Sequence, residues 1–410
     1  MKIRNLSVPV LLIVSLLFVT TAFGRQIEPD VVRQDESAAQ AADIAILASE
    51  TGLPVESVED AIAFQQAFAK YADELIIRFP DQISVARMEP VPNTRGHIQF
   101  TGEVPSEVIS ELKGQGLLDA NNVVLTGGGM ISMANHARRA KLAGEALADE
   151  GYRNFLTFFD PIDKVIRIEL KLPEGTAQPS KLDVLGAVQN RVRAQLQGSA
   201  ATVDASGLEL TVITGSGPII TDQHSRGGNW LRDDGFRECT SGWSVSGPNG
   251  DGIITAAHCG GLNQFEQADG LVYGTTYRDQ EWGDLGDVEY HTTFHVELAE
   301  FYATSSSIRD VNSIKTSTML GGSVCVYGRS SNSRNCNHTV EAVGVCVQWV
   351  LWVCNLARTD NVSTIGGDSG GGWSWGTEAW GVHKGIANGK SYFTPVTGAQ
   401  AALNVTIKTK

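Results

Sequence analysis

A chain of 410 residues, 42% of them hydrophobic, is long enough for two or three domains with sizeable cores. Its net charge of -14 argues against nucleic acid as a partner, because an acidic surface repels phosphate. We take that charge as a source of solubility, not as a binding face.

The chain opens with Lys2 and Arg4, an apolar run from Val8 to Val19, and small residues ending at Ala22-Phe23-Gly24. This order predicts a secretory signal peptide over residues 1–24, and the run is short for a permanent membrane anchor. No later segment is long and apolar enough to span a membrane, so the processed protein is expected to be secreted and free of membrane.

Residues 25–55 are polar and alanine-rich, with no strong pattern. Ser57-Val58-Glu59-Asp60 has the form of a capping box, and Ala61, Ile62, Phe64, Phe68, Tyr71 and Leu75 recur at helical period, predicting a helix to about Arg78. Extended runs at 82–88 and 96–101 flank a Pro-rich turn, followed by a short helix after Pro105 and a strand at 122–126. The order then recurs as a helix at 131–149, strands at 154–159 and 164–172, a helix at 182–196 and a strand at 208–213. The first half is therefore expected to be α+β, with a helix, hairpin, helix and strand unit used twice. It holds no cysteine and no evident nucleophile. Gly215-Ser216-Gly217-Pro218 and the polar residues up to Arg226 have the composition of an exposed linker open to cleavage.

From Gly227 onward, short runs rich in Val, Ile, Thr, Trp and Tyr alternate with glycines, an all-β pattern. Strands are predicted at 252–255, 271–277, 284–290, 323–327, 339–350, 378–383 and 391–395. Cys239, Cys259, Cys325, Cys336, Cys346 and Cys354 all lie in this half, an even number suited to disulfides in an oxidising compartment. No Cys-x-x-Cys pair occurs and no histidines are spaced to complete a zinc site, so neither a metal nor a cofactor is expected.

Two stretches carry chemistry. Gly366-Gly367-Asp368-Ser369-Gly370-Gly371-Gly372 sets a serine among glycines, which permit a tight turn with backbone N–H groups free to face a substrate. Upstream, Thr255-Ala256-Ala257-His258-Cys259 supplies an imidazole, the side chain suited to activate a serine near neutral pH. The third partner must be a buried carboxylate, and the run Gly283-Asp284-Leu285-Gly286-Asp287-Val288-Glu289 offers two. Strand alternation puts Asp284 on a face with Gly286 and Val288 and puts Asp287 with Glu289 toward solvent, which favours Asp284.

The order His258, Asp284, Ser369 and the surroundings T-A-A-H-C and G-D-S-G-G resemble chymotrypsin-like (trypsin-fold) serine proteases, over about Gly227 to Val405. The resemblance implies an all-β double barrel over residues 221–410, with the active site in the cleft between two six-stranded barrels. It makes His258 the base, and the backbone N–H groups of Gly367 and Ser369 the oxyanion hole. It pairs Cys239 with Cys259 and Cys325 with Cys336, leaving Cys346 to Cys354. Asp368 would shape the loop through an ion pair; some bacterial relatives have an arginine where this chain has Val326, so Arg329 is the substitute considered. The second half is most similar to the streptogrisin and α-lytic protease group, whose members carry a long pro-region in the place of residues 25–220. By that resemblance this segment would assist folding, inhibit the catalytic domain and be removed; the rival reading is an independent adhesion or targeting domain.

Ser363 stands six residues before Ser369, where trypsin-like enzymes carry an aspartate, which argues against a preference for Arg or Lys. Gly381-Val382-His383-Lys384-Gly385 resembles a strand of glutamate-specific bacterial proteases, so His383 and Lys384 either meet an acidic substrate side chain or pack beneath a pocket for an apolar one. The expectation is a monomeric, secreted serine endopeptidase acting on proteins or peptides, with its own pro-region as intramolecular partner. The alternatives are an inactive protease-like binding protein and an acyl hydrolase of non-peptide esters; the second usually places its histidine after the serine, whereas His258 precedes Ser369.

Overall fold

The structure is a computed structural model that describes residues 32–410, except 115–121, 130, 153, 161–162, 164, 173–179, 181–183, 191–207, 215–220, 223–227, 268–269, 271, 294–296, 319 and 349–350. The expected signal segment 1–24 and most of the expected linker lie outside the described residues. Of the helix expected at 182–196, residues 184–190 are helical.

After β1 (Val32–Gln34), helix α1 (Glu36–Thr51) starts where the Asp35 carboxylate accepts the Ala38 N–H, and it ends at Gly52 in the left-handed region. Its periodicity is faint in sequence because its buried face, Ala39, Asp43, Ile44, Leu47 and Ala48, has an aspartate at its centre. Helix α2 (Val55–Arg78) begins after Pro54, ahead of the expected capping box, and buries Val58, Ile62, Phe68 and Leu75. Strands β2 (Ile83–Met88) and β3 (Gly96–Phe100), helix α3 (Ser106–Gly114) and strand β4 (Val123–Thr126) complete a first unit. In it β2 and β3 are antiparallel and β3 and β4 parallel. Helix α4 (Met133–Asp149) with β5 (Phe155–Asp160), β6 (Val165–Leu172) and β7 (Leu208–Thr214) has the same topology, β5 antiparallel to β6 and β6 parallel to β7.

The second half begins with β8 (Thr221–Asp222), β9 (Trp230–Asp233), β10 (Phe236–Thr240), β11 (Ser244–Gly247), β12 (Gly250–Thr255), β13 (Gln264–Glu266), β14 (Val272–Gly283) and β15 (Gly286–Thr293). There follow β16 (Glu300–Thr304), β17 (Ser307–Asp310), β18 (Ser313–Ile314), β19 (Ser323–Gly328), β20 (Ser333–Gln348), β21 (Trp352–Thr359), β22 (Gly372–Trp375), β23 (Glu378–Ala387), β24 (Lys390–Pro395), α5 (Val396–Leu403) and β25 (Thr406–Ile407). One sheet runs β10-β9-β13-β14-β15-β12-β11-β25. A Cβ at Gly252 would meet the His291 carbonyl oxygen at 2.0 Å, so the close approach of β12 to β15 requires glycine there. The other sheet runs β19-β22-β23-β24-β21-β20, and pairing of β19 with β20 closes it into a six-stranded barrel.

Strand β20 continues past this barrel, where Cys346, Val347 and Gln348 pair with Thr157, Leu156 and Phe155 of β5. The barrel sheet is thereby extended by β5, β6 and β7 of the first half. Disulfides join Cys239 to Cys259, Cys325 to Cys336, and Cys346 to Cys354 across the β20–β21 hairpin. No helix among the described residues is long and apolar enough to cross a membrane.

Candidate active site

His258 lies in a 3-10 turn, Ala257–Cys259, that leaves the end of β12 and is tied to β10 by the Cys239–Cys259 bridge. Asp287 is the second residue of β15, the neighbour of β12 in the sheet. Its Oδ1 accepts the His258 backbone N–H at 3.0 Å, and its Oδ2 lies 2.7 Å from His258 Nδ1. On the other side of the ring, Nε2 is 2.9 Å from Ser369 Oγ. The imidazole is thus held between one carboxylate and one hydroxyl, and all three residues are buried.

Asp284, expected to face the imidazole, does not. Its side chain is 57% exposed and meets Lys141 Nζ at 2.6 Å. Gly283 pairs with Gly286, so Asp284 and Leu285 form the two-residue turn between β14 and β15, and alternation counted from Asp284 crosses that turn. The supposedly solvent-facing side of β15 is a buried polar row, with Asp287 and Glu289 0% and 1% exposed and Glu289 Oε1 2.9 Å from His291 Nε2. Burial works against the charge of Asp287, but His258 and Lys384 outweigh it and hold the carboxyl well below its ordinary range.

Lys384, expected on the wall of the substrate pocket, is buried with Nζ 2.7 Å from Asp287 Oδ2. Ser363 and His383 are brought together around Trp373 with a residue not singled out from the sequence, His338. Ser363 Oγ is 2.6 Å from His338 Nε2, and the His338 ring meets Trp373 edge-on with centroids 5.0 Å apart. The Trp373 indole N–H donates to His383 Nδ1 at 3.2 Å, and His383 also hydrogen-bonds the Tyr392 backbone. Burial pushes His338 down to about 4; burial, with the charges of His258, His338 and Lys384, pushes His383 down to about 3. The cluster is polar and uncharged near neutral pH.

The serine loop is shaped by positive φ at Gly367 (117°) and Gly370 (84°). A Cβ at Gly370 would stand 2.1 Å from Thr255 Oγ1 and 2.2 Å from the Thr240 carbonyl oxygen. Among the described residues, neither the Gly367 N–H nor the Ser369 N–H has an acceptor within the protein. Asp368 braces the loop, but not by the expected ion pair: it accepts backbone N–H groups of Ser330, Ser331 and Ile365 at 3.1, 3.2 and 3.0 Å. Arg329 instead lies over the Trp230 ring, 5.5 Å from its centroid. Burial raises the Asp368 carboxyl and those amides oppose the rise. Among the described residues the cluster closest to a metal-ligand set is Asp43, Cys325 and Cys336, but the two cysteines are joined in a disulfide.

No protein-family model matches the chain. It is 29% identical over 200 residues to streptogrisin-C of Streptomyces griseus, covering 45% of this chain and 41% of that protein. It is 27% identical over 193 residues to glutamyl endopeptidase 2 of the same organism, covering 44% of this chain and 98% of that protein. A solved chymotrypsin from Cellulomonas bogoriensis matches at 26% identity with a TM-score of 0.38, over 45% of this chain and 98% of that one. The chain thus spans less than half the length of streptogrisin-C. In its six-stranded barrel, its ordered His258, Asp287 and Ser369, and its relatives, the second half of the chain is similar to the chymotrypsin-like bacterial serine proteases.

Proposed function

We propose that the chain is a secreted serine endopeptidase made as a latent precursor, with residues 25 to about 220 as a removable pro-region. The observation that carries the activity is the His258 imidazole held between Asp287 and Ser369. Nε2 takes the hydroxyl proton as Ser369 Oγ attacks the scissile carbonyl, and the developing oxyanion is received by the N–H groups of Gly367 and Ser369. Asp287 holds Nδ1–H and stabilises the imidazolium, which then protonates the departing amine. Water, deprotonated by the same imidazole, hydrolyses the acyl ester on Ser369.

Latency is supported by the burial of Ser369 and the His258 side chain in the full-length chain. It is also supported by β8, whose Thr221 and Asp222 pair antiparallel with Ile386 and Gly385 of β23, next to Lys384. A folding role for the first half is supported by β5, which lies on the hairpin strand that closes the six-stranded barrel. Such long-range closure is slow, and a preformed edge can template it. Secretion is supported by the amino-terminal basic, apolar and small segments.

With Lys384 on Asp287 and His383 engaged by Trp373 and Tyr392, we read the pocket as selecting an uncharged side chain. The similarity to a glutamyl endopeptidase makes cleavage after Glu the competing outcome. Expression of residues 25–410, sequencing of the new amino terminus and profiling on a peptide library test the reading. A terminus near residue 220 and cleavage after Phe or Leu support it; cleavage after Glu overturns the pocket assignment, and an uncut chain overturns the precursor.

A further inference from the structure

Helix α1 crosses onto the second half and places Asp43 among four donors, all supplied by that half. Its Oδ1 accepts from Arg309 Nη1 at 2.8 Å and Arg334 Nε at 2.6 Å. Its Oδ2 accepts from Arg334 Nη2 at 2.8 Å and the Gly376 backbone N–H at 2.7 Å. The lone pairs of one carboxylate are all matched, with Arg334 gripping both oxygens. The donors are held in turn: Arg309 donates to Gln34 Oε1 at 2.8 Å and to the Gly376 carbonyl at 3.2 Å, and Arg334 donates to Ser374 Oγ at 2.9 Å. Asp43 and both arginine side chains are at most 1% exposed.

Two guanidiniums this close need an anion. Burial and the charge of Arg334 push Arg309 down to about 10, against the pull of Asp43. Burial alone would raise the Asp43 carboxyl, but Arg334 and Arg309 hold it below its ordinary range. Arg309 sits on β17, Arg334 on β20 and Gly376 in the turn between β22 and β23, so all four donors belong to the second half, while Gln34 of β1 is a further partner of Arg309. The carboxylate comes from 266 and 291 residues away along the chain. Nearby, Glu50 accepts the backbone N–H groups of Cys336 and Asn337 at 2.8 and 2.7 Å, a contact that helps seat α1 without involving the two arginines.

We propose that Arg309, Arg334 and the Gly376 amide form a carboxylate-binding site of the catalytic half, filled by Asp43 in this chain and open to a peptide carboxylate once the amino-terminal segment departs. The last clause rests on the precursor reading; the site itself does not.

The test uses the full chain with Ser369→Ala, which stays uncut by its own activity. Adding Asp43→Ala removes the carboxylate and leaves space for a small one, so the thermal midpoint falls by several degrees. Acetate at about 0.1 M restores part of that fall by mass action, whereas chloride of equal ionic strength does not. Acetate leaves the midpoint unmoved in the chain that retains Asp43 and in the Asp43→Ala, Arg334→Met double variant. An Asp43→Ala midpoint that responds equally to acetate and chloride overturns the site. Should Asp43→Ala fail to fold, the near-isosteric Asp43→Asn must melt below its parent, and an equal midpoint overturns the site. Once the amino-terminal fragment is removed, the processed protein is stabilised by a synthetic peptide of residues 36–51, and not by the same peptide carrying Asp43→Asn. Equal effects of the two peptides overturn that clause. A chain that is never processed counts against the precursor reading and leaves the acetate result standing.

Discussion

The Lys384 ammonium lies 2.7 Å from Asp287 Oδ2, the same oxygen that faces His258 Nδ1. A cation there fixes the carboxylate and offsets part of the negative field that would stabilise a protonated imidazole. Among the described residues, Glu289 and His383 also interact electrostatically with the pair. Lys384→Met removes the fixed cation that holds the Asp287 carboxylate in place, so kcat falls with little change in KM, and Lys384→Arg restores part of it. An unchanged kcat in Lys384→Met would contradict this role.

Asp287 and Asp284 are separated by one substitution each. Asp287→Asn keeps the shape but loses the charge, and kcat is expected to fall by about 10⁴, as in the general Ser-His-Asp template. Asp284→Asn removes an exposed contact to Lys141 and leaves kcat within about twofold, since exposed ion pairs contribute little. Steady-state kinetics of the two variants decide; equal losses would return the assignment to the turn.

Asp368 anchors the serine loop through three backbone amides, not through Arg329. Asp368→Ala frees those donors and lets the oxyanion loop move, lowering kcat by about a hundredfold, the scale of losing one oxyanion donor. Arg329→Ala leaves kcat nearly unchanged. Kinetics with the ranking reversed would reinstate the ion pair.

The buried histidines set an acid sensitivity. In the folded chain His338 sits at about 4 and His383 at about 3, against about 6.5 when unfolded. Between those values the unfolded chain binds more protons, so stability is full above about pH 6.5 and declines as pH falls, by up to about 1.4 kcal/mol per pH unit for each histidine. Asp43 and Asp287, held below the ordinary carboxyl range, keep their contribution above about pH 4 and lose it below. Urea unfolding of Ser369→Ala at pH 7.5 and pH 5 should show the decline, and His338→Gln should make it shallower. Equal stability at the two pH values would contradict the neutral burial of these rings.

Much of this was legible in the chain. His258 and Ser369 stood out because glycines and small residues around each leave little else for them to do, and the change in periodicity near Gly227 marked the β half. Asp287 was hidden because strand parity holds only within a strand, and Asp284-Leu285 is a turn. Helix α1 and the Asp43 site were hidden for one shared reason: an aspartate centred on a helix's buried face looks like a break in the apolar stripe until its partners, Arg309 and Arg334, are seen across the fold. The diversion of Lys384 to Asp287 depends in the same way on a contact between β23 and β15 that no local pattern encodes.

The central claim is that Ser369 is an activated nucleophile. A fluorophosphonate probe, applied to the processed protein and followed by peptide mass mapping, should form one adduct on Ser369 that is lost in His258→Ala. Absence of that adduct from folded, processed protein would contradict the claim.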